Sequence, residues 1–89
     1  MLIDKNFHKV RAISDKTRYR IMRMLIQREL CVCQIQKELC MSQPRISRHL
    51  SILKKAGLLG SKREGKMIFF FIIETKANKK FLDFLREEK

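Results

Sequence analysis

The most constraining feature of this sequence is a basic segment whose two ends both carry residues that begin and end helices. Ser42 is a favourable N-cap, Pro44 fits the first helical turn, and Gly57 is a typical helix stop. Between them, apolar side chains recur at helical spacing, at Ile46, Leu50 and Leu53. The segment therefore predicts an amphipathic helix with one buried face and one polar, basic face.

A shorter helix is predicted directly before this segment. Ile35 and Leu39 are four residues apart, which indicates a helix from about Val32 to Glu38, and Cys40-Met41 joins it to the basic helix. Two short helices in this order, with the second one capped and basic, are typical of a helix-turn-helix motif. In that motif the second helix enters the major groove of DNA.

Two further helices are predicted upstream of this pair. A short helix from Lys5 to Ile13 has an apolar residue at every third position, at Phe7, Val10 and Ile13. Asp15, or alternatively Ser14, is placed to cap a second helix that runs to about Gln27. Both helices carry an apolar stripe, so both require tertiary contacts.

The remainder of the chain predicts a hairpin and a last helix. The segments 58–62 and 67–73 are suited to strands, and Glu64-Gly65-Lys66 forms the turn between them. The final helix has an apolar stripe made of Ala77, Phe81, Phe84 and Leu85. The expected fold class is mainly α with a β-hairpin wing, a winged helix-turn-helix of about five helices and two strands. We expect residues 1–89 to form one such DNA-binding domain.

Charge and length narrow the class of function. The 89 residues include 21 lysines and arginines against 9 acidic residues, a formal net charge of +12, which favours a polyanionic partner. The longest apolar run, residues 67–73, is too short to cross a membrane. No spacing supports a nucleophile with its base, and no glycine-rich loop could hold a phosphate, so we expect no enzyme. The N-terminal residues do not resemble a signal peptide, which favours a cytoplasmic protein.

The polar face of the basic helix supplies the expected DNA contacts. Arginine can bond guanine and glutamine can bond adenine with two hydrogen bonds each, and serine suits phosphate oxygens. These residues are Gln43, Arg45, Ser47, Arg48 and His49. His49 has the alternative role of packing at a helix interface. The hairpin tip, with Lys62, Arg63 and Lys66, is expected to grip the DNA backbone or the minor groove.

Cysteines begin and end the short helix before the turn. Thiolates at Cys31 and Cys33 could chelate one thiophilic ion. Residues two apart lie about 200° around a regular helix, so both sulfurs reach one ion only if the helix start is irregular or distorts. We expect binding to strain this helix. Cys40 could supply a third thiolate, but burial as a small apolar residue is the favoured interpretation. The odd number of cysteines favours reduced thiols.

Three segments together resemble the ArsR/SmtB family of winged-helix repressors: DKTRYRIMRML, SQPRISRHLSILKKAGLL and KREGKMIFFFI. The resemblance covers nearly the whole chain. It implies a homodimer in which the first and last helices pack across the two-fold axis. That packing would cover the apolar residues Phe7, Val10, Ile13, Phe81, Phe84 and Leu85.

The sequence ELCVC is similar to the cysteine motif that binds arsenic, antimony, lead or cadmium in many family members. The resemblance implies that Cys31 and Cys33 take arsenite, antimonite, lead or cadmium as effector, and that binding weakens the hold on operator DNA. Gln36 stands where arsenic-sensing relatives often have a third cysteine. The last helix contains no histidine, so we expect the family's zinc site to be absent.

Three alternatives for the cysteines and the function stay open at this stage. The cysteines could respond to oxidants or other thiol-reactive signals without metal, which would leave the protein a metal-independent repressor. Cys31 and Cys33 could also bind no ligand and be retained by descent or for packing. Without any effector, a basic winged dimer could coat DNA through phosphate contacts.

Overall fold

The computed structural model describes residues 5–87, with side chains from Phe7 onward. The helices are α1 (Lys5–Ile13), α2 (Lys16–Gln27), α3 (Val32–Leu39), α4 (Gln43–Lys55) and α5 (Lys79–Glu87). The strands are β1 (Leu30–Cys31), β2 (Leu59–Glu64) and β3 (Met67–Ile72), and a 3-10 turn (Lys76–Asn78) precedes α5. The predicted winged helix-turn-helix is confirmed, with β1 as a third strand that was not predicted. The first four residues, which form part of the N-terminal segment compared with a signal peptide, lie outside the described residues.

Local residue signals set the ends of α2 and α4. The Asp15 carboxylate accepts a hydrogen bond from the Arg18 backbone N–H at 3.0 Å, which confirms Asp15 as the N-cap of α2. At the end of α4, Gly57 adopts φ +82°. The Gly57 N–H donates to the Lys54 carbonyl at 3.0 Å, and the Leu58 N–H donates to the Leu53 carbonyl at 3.1 Å. These two bonds form a Schellman motif, which explains why the helix stops at a glycine.

The three strands form one antiparallel sheet in the order β1-β3-β2. In the wing, the hairpin of β2 and β3, Leu59 pairs with Ile72 and Glu64 pairs with Met67. The turn is therefore Gly65-Lys66, and Gly65 takes φ +65°. Lys62 pairs with Phe69 and Arg63 with Ile68 inside the ladder, so of the three predicted tip cations Lys66 is the one in the turn itself. Cys31 also pairs with Phe69, from the other side of β3.

The core lies where α2, α3, α4 and α5 meet the base of the sheet. The predicted inner face of α4, Ile46, Leu50 and Leu53, is fully buried. None of the helices among residues 5–87 is long and apolar enough to cross a membrane.

The apolar stripe of the last helix divides between two faces. Leu82 and Leu85 are buried in the core of their own chain, whereas Phe84 is 55% exposed. Ala77 is exposed and belongs to the 3-10 turn before α5. The prediction that Leu85 lies at the dimer interface is therefore wrong, because its side chain is buried within its own chain.

Asn78 joins three elements beneath the wing. Its side chain is buried, and its Nδ2 donates to the Gly57 carbonyl at 3.0 Å and to the Ile73 carbonyl at 2.8 Å. One amide therefore connects the end of α4, the end of β3 and the turn before α5. This residue was not among the predicted functional or core positions.

Candidate nucleic-acid interface and thiol site

The outer face of α4 carries most of the side chains that were predicted to contact DNA. Gln43, Arg45, Ser47 and Arg48 are all exposed, and the opposite face of the helix is buried in the core. Ser42 is the N-cap residue as predicted, but its hydroxyl makes no capping hydrogen bond. The first turn of α4 is therefore not capped by its own serine side chain. An exposed, polar helix N-terminus of this kind suits phosphate or base-edge contacts.

His49 is turned away from this face and packs against the start of α2. Arg18 Nη1 lies 3.2 Å from His49 Nδ1, and Arg18 Nε donates to the Ala12 carbonyl at 2.7 Å. A guanidinium only donates hydrogen bonds, so His49 must accept through an unprotonated Nδ1. The Asp15 carboxylate lies 3.9 Å from the same nitrogen. These contacts favour the alternative in which His49 packs at a helix interface.

Protonation of His49 should destabilise the protein. Burial, and less strongly the charges of Arg18, Arg45 and Arg48, hold the pKa of His49 below its usual 6.5, although Asp15 opposes this. As pH falls through 6.5, the unfolded chain binds a proton more readily than the folded one, so stability decreases. We expect His49→Gln, whose amide oxygen can still accept from Arg18, to remove that decrease. Urea unfolding between pH 5 and 8 measures it; an unchanged pH dependence in the variant would contradict the assignment.

The three predicted wing cations have different environments. Arg63 lies close to the turn and Lys66 lies in it, and both side chains are exposed. Lys62 Nζ instead lies 2.8 Å from the Glu29 carboxylate and 3.6 Å from that of Glu64. The hydrogen bond that Lys62 donates to the Glu29 carboxylate is the main cause of the raised pKa of Lys62. Arg63 and Lys66 are therefore better placed than Lys62 to meet a polyanion, and Glu29 is a partner that the sequence did not reveal.

The cysteine pair is brought together by the start of α3. Cys31 ends β1 and serves as N-cap with an extended backbone, φ −85° and ψ 164°, while Cys33 lies in the first helical turn. The two Sγ atoms are 2.9 Å apart. Of the two geometries predicted, the structure has the irregular start, so the sulfurs meet without distortion of a regular helix. The expectation that binding strains α3 stays a prediction, because this geometry belongs to the ion-free thiol pair.

The two thiols differ in acidity. Burial works against ionisation of Cys31, but the hydrogen bond from the Cys33 thiol, together with backbone N–H groups of Gln34 and Cys33, lowers the pKa of Cys31 below its usual value. The same hydrogen bond, with burial and the Cys31 charge, raises the pKa of Cys33. Cys31 therefore ionises first, and its thiolate accepts from the Cys33 S–H. Such a thiolate at a helix N-terminus is the form that binds metals.

Cys40 does not behave as predicted. It caps the C-terminus of α3 in the left-handed conformation, with φ 54°, and its side chain is exposed. The expectation that Cys40 is buried as an apolar residue is therefore wrong, because a helix C-cap lies at the surface. Among the residues that the structure describes, no three His, Cys, Asp or Glu side chains come together as a metal cluster. Cys40 thus does not complete a three-thiolate site within one chain.

A groove joins the cysteine pair to the DNA-facing elements. We call this cavity of about 230 Å³ the thiol groove. It is lined on the helix-turn-helix side by Cys31, Val32, Cys33, Gln36 and Gln43, and on the wing side by Lys66, Met67 and Ile68. Gln43 is the first residue of α4, and Lys66 belongs to the turn of the wing. The sequence did not predict the groove, because the wing is more than 30 residues from the cysteines along the chain.

Comparison with known sequences places this arrangement among regulators. Residues 15–61, more than half of the chain, match the model of the bacterial regulatory proteins of the arsR family. An uncharacterized HTH-type transcriptional regulator of Methanocaldococcus jannaschii is 41% identical over 68 residues, covering 75% of this chain and 76% of the relative. The arsenical resistance operon repressor of Escherichia coli is 42% identical, covering 65% of this chain and 50% of the relative. The chain spans about half the length of that repressor.

Comparison with solved structures gives the same result. Reduced HlyU from Vibrio cholerae superimposes with a TM-score of 0.82 at 27% identity, covering 92% of this chain and 85% of HlyU. The homodimeric winged helix-turn-helix DNA-binding domain of Mb0332 from Mycobacterium bovis gives a TM-score of 0.82 at 24% identity, with 93% and 76% covered. The latter likeness shows the fold alone. With the matched family model and the relatives in sequence, these findings establish that the chain belongs to the ArsR family of DNA-binding transcriptional regulators.

Proposed function

We propose that this chain is a homodimeric transcriptional repressor that leaves its operator when Cys31 and Cys33 bind a thiophilic metal or metalloid. The observation that carries the proposal is the 2.9 Å separation of the two Sγ atoms in a groove that is also lined by Gln43 and Lys66. A ligand at the sulfurs therefore occupies the space between the reading helix and the wing. Residues 1–89 would act as one DNA-binding unit.

The proposed DNA contacts follow from exposure and charge. Arg45 and Arg48 would read base edges from α4, with Gln43 and Ser47 nearer to the backbone at its N-terminus. Arg63 and Lys66 would hold phosphates or the minor groove from the wing. His49 would act indirectly, by holding α4 on α2 through Arg18. Lys62 contributes less than predicted because Glu29 neutralises it.

The proposed dimer would cover apolar side chains that one chain leaves exposed. Phe7 and Val10 of α1 are 48% and 49% exposed, and Phe84 of α5 is 55% exposed. Ile13 and Phe81 are half-buried at the edges of the same two helices. Burial of large aromatic and aliphatic side chains is the main source of association free energy at such an interface. Leu85 takes no part, since it fills the core of its own chain.

The donor set of the thiol groove fits soft effectors. Two thiolates prefer thiophilic ions to magnesium or calcium, which agrees with arsenite, antimonite, lead or cadmium as effector. Relatives named as arsenical resistance and cadmium resistance regulators support the same class. Cys31 and Cys33 would hold the ion, which would supply strong bonds to sulfur in place of the S–H hydrogen bond. The buried Cys31 would orient it toward the groove, and the exposed Cys33 would admit it.

The test is operator binding by the reduced protein with and without effector. We expect arsenite, lead or cadmium to weaken operator affinity of the wild type by roughly 5- to 150-fold, the usual range of allosteric coupling. A Cys31→Ser/Cys33→Ser variant should bind DNA normally and ignore the effector. Cys40→Ser is the matched control, because this exposed thiol lies outside the groove, and it should respond like the wild type. Fluorescence anisotropy at fixed salt measures all three proteins.

Each outcome separates the effector proposal from its alternatives. Release of the double variant by the same metals would overturn the role of the pair. Release by hydrogen peroxide but by no metal would favour a thiol-reactive sensor, since adjacent sulfurs also suit disulfide formation. If no reagent changes the affinity and scrambled DNA binds as tightly as operator, the chain is an effector-free DNA-coating protein.

A further inference from the structure

A third sulfur-bearing residue lines the thiol groove besides the cysteine pair. Met67, the first residue of β3, lines the groove with Cys31 and Cys33, and 43% of its surface is exposed. A thioether is a soft, uncharged donor that binds the same ions as thiolates do. Three sulfur-bearing side chains therefore share one cavity of about 230 Å³.

The register of the sheet explains why Met67 emerges beside the pair. Cys31 lies opposite Phe69 across the β1–β3 ladder. Directly opposed residues leave a sheet on the same face, as do residues two apart on one strand. Met67 therefore leaves the sheet on the face of Cys31, roughly 7 Å further along β3. If the β1–β3 pairing continued for two more residues, Met67 would lie opposite Cys33.

The rest of the groove offers no stronger third donor of this kind. Within residues 5–87 no three His, Cys, Asp or Glu side chains converge on one point. Gln36 faces the groove where a third cysteine was expected, but an amide oxygen is a hard donor. Among the side chains that line the groove, Met67 is the one that adds a soft atom to the pair.

The charges of the three sulfur donors and of Lys66 determine which cation the groove favours. Two thiolates and one thioether carry two negative charges, so a monovalent cation leaves a complex with one negative charge. Lys66 lines the same groove and offsets that charge. A divalent ion on two thiolates, or arsenite that keeps one hydroxide, would leave a neutral complex, so the monovalent complex is the one whose negative charge pairs with the Lys66 ammonium.

We propose that Met67 is the third sulfur donor of the thiol groove, and that the groove takes a monovalent soft cation, Cu(I), on two thiolates and one thioether. The proposal rests on the proposed function, because it uses the same cysteine pair. Binding displaces the two thiol protons and changes no oxidation state, since copper enters as Cu(I). A donor at the start of β3 ties the wing to α3, so occupancy would fix the wing relative to α4.

The experiment uses Ag(I), which has the charge and softness of Cu(I) and is stable in air. Affinity is measured without DNA, by competition with a thiol chelator, on the full chain. We expect Met67→Leu to weaken Ag(I) binding at least about tenfold, the scale on which changes around metal ligands act. The affinity of Met67→Leu for cadmium, which the two thiolates hold, should change less than about twofold. Met24→Leu, a half-buried methionine outside the groove, is the matched control and should behave like the wild type.

A second readout does not depend on a variant. With ¹³C-methyl labels on the five methionines, Ag(I) should shift the methyl resonance that is missing from the spectrum of Met67→Leu. An unshifted Met67 methyl, or equal Ag(I) affinity of wild type and Met67→Leu, would overturn the proposal. The proposed function has its own separate test. It fails if the Cys31→Ser/Cys33→Ser variant still releases operator DNA when arsenite, lead or cadmium is added. Metal-free operator affinity of Met67→Leu checks that the wing is folded.

Discussion

Replacing Arg45 and Arg48 together by alanine is expected to remove specific operator binding and leave the fold intact. Both side chains are exposed on the outer face of α4, so their loss should change stability by no more than about 0.5 kcal/mol. An arginine that bonds a guanine with two hydrogen bonds contributes about 1–3 kcal/mol of discrimination. Two such contacts predict a loss of operator affinity from about 30-fold upward.

The measurement compares operator with a scrambled duplex at one salt concentration. The double variant should lose the difference between the two DNAs, because phosphate contacts from the wing act on any sequence. Lys79→Ala/Lys80→Ala removes the same charge from α5, where both side chains are exposed, and is the matched control. Equal losses of operator and scrambled DNA would show that the arginines contact phosphates alone. Unchanged binding would contradict the assignment of α4 as the reading helix.

Asn78→Asp is expected to lower the free energy of unfolding by about 3–5 kcal/mol, the scale of an unpaired buried charge. The change replaces a buried amide nitrogen, which donates to the carbonyls of Gly57 and Ile73, with a second oxygen. Carboxylate oxygens and carbonyls repel one another, and both carbonyls would lose their donor. The variant should therefore regain part of its stability at acid pH, where the carboxyl group is protonated.

Urea unfolding at pH 7 and pH 5 tests this expectation. Gln27→Glu is the matched control, since it makes the same amide-to-acid change at an exposed position and should stay within about 0.5 kcal/mol of wild type. If Asn78→Asp unfolds like the wild type, the amide does not hold the three elements together. A wing that stays folded while α5 separates would be seen as two unfolding transitions.

The elements that depend on neighbouring residues were predicted well from the sequence. Asp15 and Gln27 mark both ends of α2, and α4 was predicted with its glycine stop and its buried face, although the Ser42 hydroxyl makes no capping hydrogen bond. These signals are local hydrogen bonds and helical spacing, which the order of residues shows directly. The exposed positions of Gln43, Arg45, Ser47 and Arg48 on α4 follow from the same spacing.

The parts that were missed depend on contacts between distant residues. β1 has only two residues, and it exists because Leu30 and Cys31 pair with a strand almost 40 positions later. The choice between Leu85 and Phe84 as the outward residue of α5 required the position of α2 beside it. The burial of Asn78, likewise, depends on carbonyls that local sequence patterns do not report. Sequence spacing also could not decide between an irregular and a distorted start of α3.

The ion pair between Lys62 and Glu29 has a consequence for how the protein exchanges salt ions with DNA. Each cation that meets a phosphate releases condensed counterions, and the steepness of affinity against salt counts those releases. Lys62 is already 2.8 Å from a carboxylate of its own chain, so its arrival at DNA releases fewer ions than its charge suggests. The salt slope of operator binding should therefore follow the cations of the α4 face and the wing tip, and the net charge of +12 would overestimate it.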